Sequence, residues 1–149
     1  MPDVSFSHLG ICVSDLDRSM RFYCDGLGFE PGDHHAIGNP FARLMDLDEV
    51  ALRSQFVHRD GVSIELLQFD RPGHTGDRGR RPMTQLGLTH LSLRVSDVDG
   101  IAARVRDHGG AVHDETRTTF PGGDAPVMDF VYCTDPDGVR IELMRIPGP

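Results

Sequence analysis

The chain contains the same two segments twice, in the same order. HLGICVSDLD, which begins at His8, returns as HLSLRVSDVD, which begins at His90. GVSIELLQF, which begins at Gly61, returns as GVRIELMRI, which begins at Gly138. Only two copies are present, so the pattern indicates a duplicated half-domain rather than a solenoid. We therefore expect two similar modules, each starting on a histidine-bearing strand and ending on a glutamate-bearing strand.

Each copy predicts the element order βαβββ. FSHLGICV and LTHLSLRV alternate between apolar and polar residues, as strands with one buried face do. A first helix is expected after the candidate N-cap Ser14, and a second helix from Asp97 to about His108. Asp-Gly turns then predict a hairpin in each copy.

The predicted fold class is α+β, with two tandem βαβββ modules forming a curved mixed sheet around a cleft. The modules are expected at about 4–69 and 87–147 within one domain, 1–149. A segment rich in glycine, proline and arginine, 70–86, is expected to join them.

The amino-acid composition excludes some classes of binding partner and of reaction. The formal net charge of -8 disfavours nucleic acid and anionic membranes, and no apolar run is long enough to span a bilayer. The N-terminus lacks the features of a secretory signal, so we expect a cytoplasmic protein that acts on a small molecule. Lysine is absent, which excludes Schiff-base chemistry and a P-loop. Three widely spaced cysteines are expected to be buried free thiols.

Strand periodicity places the histidines and glutamates on faces that lack large apolar residues. Because side chains alternate along a strand, His8, Glu65, His90 and Glu142 all point away from the apolar faces that should pack on the helices. Imidazoles and carboxylates together suit Ni, Co, Zn, Mn or Fe. The alternative is that the histidines merely end strands and the glutamates are surface charges. Their matched positions in the repeat favour a site for one divalent metal ion.

The same residues carry a family resemblance. The patterns H-L-x-x-x-V-x-D-x-D, F-Y-x-D-x-L-G-F-E and D-P-D-G-x-x-I-E-L resemble those of the vicinal oxygen chelate superfamily, which includes glyoxalase I, epimerases, extradiol dioxygenases and antibiotic-resistance proteins. The resemblance extends from about Phe6 to Ile146. It implies paired modules around one divalent metal, no organic cofactor, and a homodimer.

The resemblance also implies roles for the four candidate ligands. The set His8, Glu65, His90 and Glu142 is most similar to that of bacterial glyoxalase I, in which a ligand glutamate also moves a proton. By this resemblance Glu142 is the expected base and Glu65 its symmetric partner. The implied function is a metal-dependent isomerase, epimerase or lyase that transfers a proton beside a substrate carbonyl.

Two other functions stay open. An Fe(II) extradiol-type dioxygenase would use His8, His90 and Glu142, and Glu65 would then be surplus. A non-catalytic protein that binds a small molecule or an antibiotic would need no metal.

Substrate-binding positions depart from glyoxalase I. By the resemblance, an arginine and an asparagine of the glutathione pocket are replaced by Cys12 and Phe69. Arg94, four residues after His90, is a candidate clamp for an anionic substrate group, or else part of a structural ion pair. Arg78, Arg80 and Arg81 are candidates for gripping an anionic tail, although such runs are commonly solvated loops.

Overall fold

The structure is a computed structural model that describes residues 3–122 and 125–146. The chain separates into two compact units, and the boundary between them lies between Gly76 and Asp77. Each unit contains one four-stranded sheet with both parallel and antiparallel pairs. The predicted α+β class and the order βαβββ are confirmed in both units.

The first unit has the strand order β1-β4-β3-β2, in which β1 is parallel to β4 and the other pairs are antiparallel. A helical segment follows β1, and two short 3₁₀ turns separate β2 from β3. Its elements are β1 (Leu9–Cys12), α1 (Leu16–Met20) continued by a π-helical segment (Arg21–Gly26), β2 (Glu30–Ile37), 3₁₀ turns (Asn39–Phe41 and Arg43–Met45), β3 (Ala51–Arg59) and β4 (Val62–Arg71).

The second unit repeats this topology with the order β5-β8-β7-β6, and β5 is parallel to β8. Its elements are β5 (Leu91–Arg94), α2 (Val98–Asp107), β6 (Ala111–Gly122), β7 (Ala125–Thr134) and β8 (Arg140–Arg145).

The first helix begins one residue later than expected. Asp15, not Ser14, is the N-cap, because its carboxylate accepts the backbone N–H of Arg18 at 2.8 Å. The Ser14 hydroxyl instead accepts a hydrogen bond from the Arg18 guanidinium at 2.7 Å. In the second unit, where the helix was expected to run from Asp97 to about His108, Asp97 is the N-cap of α2 and accepts the backbone N–H of Gly100.

The first predicted hairpin also forms at its expected turn. Asp60 and Gly61 have φ values of 49° and 78°, and they connect β3 to β4 as a two-residue turn. Positive φ at both central residues matches the right-handed twist of the flanking strands, which is why Asp-Gly is favoured there.

One face of each sheet packs on its own helical segment. In the first unit this core includes Val57, Ile64 and Leu66 from the sheet and Phe22 and Tyr23 from the π-helical segment, all nearly inaccessible to solvent. In the second unit α2 supplies three buried residues to a core shared with β7 and β8: Val98, Ala102 and Val105.

The opposite face of the first sheet differs from the prediction, which assigned it no core. Residues 38–50 cover one end of it and bury Ala42, Val50 and Leu52. Leu67 and Phe69 of β4 pack against this cluster from the sheet. The apolar residues of the loop and of the strand ends therefore form a second core beside the candidate site.

The cysteines are free thiols, as expected, but they are not all buried. Cys133 is buried and Cys24 is half-buried, whereas Cys12 is exposed because it lies on the edge strand β1. Within residues 3–122 and 125–146, no helix combines the length and apolar character that crossing a membrane requires.

Candidate metal centre

In the first unit the parallel pairing of β1 with β4 brings His8 and Glu65 together. Glu65 lies opposite Gly10, so the histidine that immediately precedes β1 approaches the glutamate from the neighbouring strand. The His8 Nε2 atom is 3.2 Å from the Glu65 Oε2 atom.

The second unit builds the same pair. Glu142 of β8 lies opposite Ser92 of β5, and the His90 Nε2 atom is 3.1 Å from the Glu142 Oε2 atom. The repeat in the sequence therefore produces a repeated histidine–glutamate pair in three dimensions, with the same ring nitrogen facing the carboxylate each time.

A hydroxyl from the preceding residue holds each imidazole. Ser7 Oγ is 2.8 Å from His8 Nδ1, and Thr89 Oγ1 is 2.9 Å from His90 Nδ1. A partner on one ring nitrogen orients the ring and leaves the other nitrogen for a ligand, as partners of metal-binding histidines do. The sequence analysis did not identify Ser7 and Thr89, although a hydroxyl residue directly precedes the histidine in both copies.

The geometry of each pair fits two ligands of one metal ion. Donors about 2.1 Å from a metal are about 3.0 Å apart in an octahedral site and about 3.4 Å apart in a tetrahedral one. The observed nitrogen–oxygen separations of 3.1 and 3.2 Å fall within that interval. The same separations also suit a hydrogen bond from Nε2–H to the carboxylate. Among the described residues no group of three or more histidine, cysteine, aspartate or glutamate side chains gathers at one point, so no more than two candidate ligands meet at either pair.

Each pair is partly shielded from solvent and still reachable. The side chains of Glu65 and Glu142 are 15% and 16% exposed, and those of His8 and His90 are 37% and 24% exposed. An ion or a small molecule can therefore reach all four side chains.

An aromatic residue pairs with each glutamate from the neighbouring strand. Phe56 is opposite Glu65 and contacts the His8 ring edge-to-face at 5.2 Å, and Tyr132 is opposite Glu142 and contacts the His90 ring at 5.5 Å. Burial, reinforced by the Glu142 carboxylate, raises the pKa of the Tyr132 hydroxyl. Tyr132 is therefore an uncharged neighbour of His90 and Glu142 at physiological pH.

The Glu65 carboxylate has one further partner. The Ser54 hydroxyl donates to Glu65 Oε1 at 2.5 Å. Ser54 comes from β3 and carries no sequence signature, so only the strand register reveals this contact.

The three predicted substrate-binding residues are placed differently. Arg94 is exposed and pairs with Met144, on the same face of its sheet as Glu142. Cys12 is exposed and pairs with Leu67, on the same face as Glu65. Phe69 is half-buried and belongs to the apolar cluster under residues 38–50.

Part of the arginine-rich segment packs on the second unit. The guanidinium of Arg140 lies over the Tyr132 ring, 5.1 Å from its centre, and donates to the backbone carbonyl of Arg81 at 2.6 Å. Arg80 donates to Glu115 at 3.3 Å. Burial and then the Arg80 charge lower the pKa of His113. The second unit thus carries positive charge close to its histidine–glutamate pair.

The chain is similar in sequence to one known protein family and to several of its members. The family model described as Glyoxalase/Bleomycin resistance protein/Dioxygenase superfamily matches residues 5–143. A probable lactoylglutathione lyase from Synechocystis is 30% identical over 142 residues, covering 93% of this chain and 92% of that protein. A 2-epi-5-epi-valiolone epimerase from Actinomyces is 27% identical over 150 residues, covering 97% of this chain and 81% of that protein.

A solved structure agrees in fold. A glyoxalase family protein from Bacillus cereus superimposes with a TM-score of 0.82 over 99% of both chains, at 20% sequence identity. Taken with the repeated strand topology and the match over residues 5–143, these findings establish that the chain belongs to the glyoxalase/bleomycin resistance protein/dioxygenase superfamily.

Proposed function

We propose that this protein is a metal-dependent isomerase, epimerase or lyase of the glyoxalase type. Its substrate would be a small, anionic molecule with a carbonyl group next to an acidic C–H bond. The observation that carries the proposal is the repeated pair, in which Nε2 of a hydroxyl-held histidine faces a glutamate: His8 with Glu65, and His90 with Glu142.

The proposed metal ligands are these four side chains. A bound divalent metal would polarise the substrate carbonyl and so lower the cost of removing the neighbouring proton. Glu142 takes that proton and returns it to another face or another carbon, and Glu65 is its partner in the symmetric module. The names of two relatives, a lyase and an epimerase, agree with proton transfer as the shared chemistry.

Positive charge near the second pair supports an anionic substrate. Arg94 lies on the same sheet face as Glu142, and Arg140 precedes Glu142 by two residues on β8. We assign Arg94 as the clamp for the anionic group, because a guanidinium matches carboxylate and phosphate geometry. Cys12 is proposed to line the substrate site, and Phe69 to border it from the apolar cluster under residues 38–50. Because these two residues replace the arginine and asparagine that the resemblance implies for a glutathione pocket, glutathione is not the proposed thiol partner.

The first test is metal content by mass spectrometry on protein purified without an affinity tag or added metal. We expect about one Ni, Co, Zn or Mn ion per chain. His8→Ala and His90→Ala should each lower the metal content, because both histidines are proposed ligands, whereas His74→Ala, at an exposed position, should keep it. Two ions per wild-type chain, falling to one in each variant, would contradict the expected content of one ion per chain.

The identity of the metal also separates the alternatives. Iron, with oxygen consumption on catechols and indifference to Glu65→Ala, would favour the Fe(II) dioxygenase. No metal and no uptake on titration would leave a non-catalytic binding protein.

The second test concerns the base. Glu142→Gln keeps the size of the side chain and removes its ability to accept a proton, so we expect it to abolish turnover on α-hydroxycarbonyl, thiohemiacetal or acyl-thioester substrates that the wild-type protein converts. Incorporation of solvent deuterium into product should vanish with it. Turnover of this variant at the wild-type rate would show that the role assigned to Glu142 is wrong.

Two further expectations accompany the proposal. Family members usually pair, and edge strands such as β1 need covering, so we propose a homodimer whose size can be measured by light scattering. A cytoplasmic location stays a prediction.

A further inference from the structure

The two glutamates of the ligand pairs differ in what holds them. Both carboxylate oxygens of Glu65 are engaged, Oε2 with His8 at 3.2 Å and Oε1 with the Ser54 hydroxyl at 2.5 Å. Glu142 contacts His90 at 3.1 Å through Oε2, and no hydroxyl among the described residues donates to it. The symmetry of the sequence repeat is therefore broken at the second oxygen of the carboxylate.

Ser54 is well placed to fix Glu65. It is 0% exposed, so its hydroxyl cannot exchange its carboxylate partner for bulk water. It lies in the middle of β3, a strand paired on both sides, so its position is set by two neighbouring strands. A hydrogen bond from a buried hydroxyl to a carboxylate is stronger than one between neutral groups.

The equivalent position in the second unit is Phe130. Ser54 pairs with Leu67, two residues after Glu65, and Phe130 pairs with Met144, two residues after Glu142. The Phe130 ring contacts Phe120 edge-to-face at 5.9 Å and has no hydrogen-bond donor to offer. The same strand position therefore provides a hydroxyl donor to Glu65 and none to Glu142, whose contact with His90 remains.

We propose that Ser54 is a positioning residue that locks Glu65 as a fixed ligand, and that Phe130, by offering no donor, leaves Glu142 free to move. This inference rests on the proposed function, because it assumes that the two pairs bind a metal. The two carboxylates occupy matching positions, and the difference in their contacts gives a physical reason for unequal roles. A glutamate held at both oxygens cannot rotate to accept a proton, whereas one held at a single oxygen can.

The inference is tested through metal affinity, measured by titration calorimetry of Zn²⁺ into metal-stripped protein. Loss of an outer partner of a ligand typically weakens metal binding by about 10- to 100-fold, so Ser54→Ala should do the same. In a Glu65→Ala background the same substitution should change the affinity by less than about threefold, because its target is gone. Equal losses in both backgrounds would mean that Ser54 acts on the fold and not on Glu65, and would overturn the inference.

A reciprocal pair of variants adds the anchor where it is lacking. Phe130→Ser and Phe130→Ala both remove the ring, and they differ by one hydroxyl. We expect the serine variant to bind Zn²⁺ several-fold more tightly than the alanine variant, and Co²⁺-loaded samples of the two to differ in visible absorption. Identical affinities and spectra would contradict the proposed action of the hydroxyl, even if Ser54→Ala failed to fold.

Failure of the inference is separable from failure of the proposed function. If wild-type protein binds no Zn²⁺, the proposed function fails. If wild-type protein binds Zn²⁺ and Ser54→Ala binds it equally well, the metal site stands and only the role of Ser54 is refuted.

Discussion

The second unit contains an ion pair whose carboxylate is buried and whose guanidinium is partly exposed, and breaking it should destabilise the unit. Arg117 of β6 holds Asp129 of β7 with two hydrogen bonds of 2.5 Å, from Nε and Nη2 to the two carboxylate oxygens. The remaining guanidinium nitrogen of Arg117, Nη1, donates to Asp99 Oδ1 in the first turn of α2 at 2.9 Å. The bond to Asp129 is the main reason that the pKa of Arg117 is raised.

The burial of the two carboxylates sets the expected magnitudes. The Asp129 side chain is 9% exposed and the Asp99 side chain is 85% exposed. The Arg117 side chain is itself 31% exposed, so Arg117→Met, which leaves the Asp129 carboxylate buried without its partner, should cost about 1–3 kcal/mol of the free energy of unfolding. Asp99→Asn should cost about 0–1 kcal/mol, because water replaces the lost contact and salt already screens it.

Urea denaturation followed by circular dichroism measures both values. The decisive variant is Arg117→Met combined with Asp129→Leu, which removes both charges and supplies apolar volume. Replacing a whole buried pair is often neutral, so the double variant should recover most of the loss seen in Arg117→Met. A double variant no more stable than Arg117→Met, or an Asp99→Asn loss as large as that of Arg117→Met, would refute the reasoning.

Two further predictions concern a thiol and a turn. Burial, with a smaller contribution from Asp135, raises the pKa of Cys133 to about 12, so below that pH the native thiol stays protonated and should resist iodoacetamide, while the exposed Cys12 reacts. Peptide mass mapping of native and urea-unfolded protein measures the labelling of each thiol. Equal labelling of both thiols in the native state would contradict the buried placement of Cys133. Gly138→Ala should lower the melting temperature and expose residues 77–86 to limited proteolysis, because φ is +89° and a Cβ would lie 2.6 Å from the Arg78 carbonyl oxygen. The matched control Gly61→Ala has a similar φ of +78° but open space around its Cβ, so it should lower the melting temperature less and leave the proteolysis pattern unchanged.

Features that depend on neighbours along the chain were predictable from the sequence. The two-residue turn at Asp60 and Gly61, the helix α2 over about 97–108 and the alternation of strands β1 and β5 involve residues close in sequence, so local patterns predicted them. The repeat added long-range information, because two copies of one pattern must build two copies of one module. It identified His8, Glu65, His90 and Glu142 as matched positions, and the structure pairs them within each unit.

Features that depend on strand register and on packing between distant segments required the tertiary structure. The contact of Ser54 with Glu65 exists because β3 and β4 pair in one register, and a shift of one residue would turn Ser54 to the opposite face. Residues 38–50 cover the sheet face beside Glu65 because Ala42 and Val50 bury apolar surface there, and no periodicity in that loop indicates where it packs. The sequence by itself determined the two modules and the matched positions of their histidines and glutamates. Only the tertiary structure decided that one glutamate is anchored at both oxygens and the other at one, since that difference arises from a neighbouring strand.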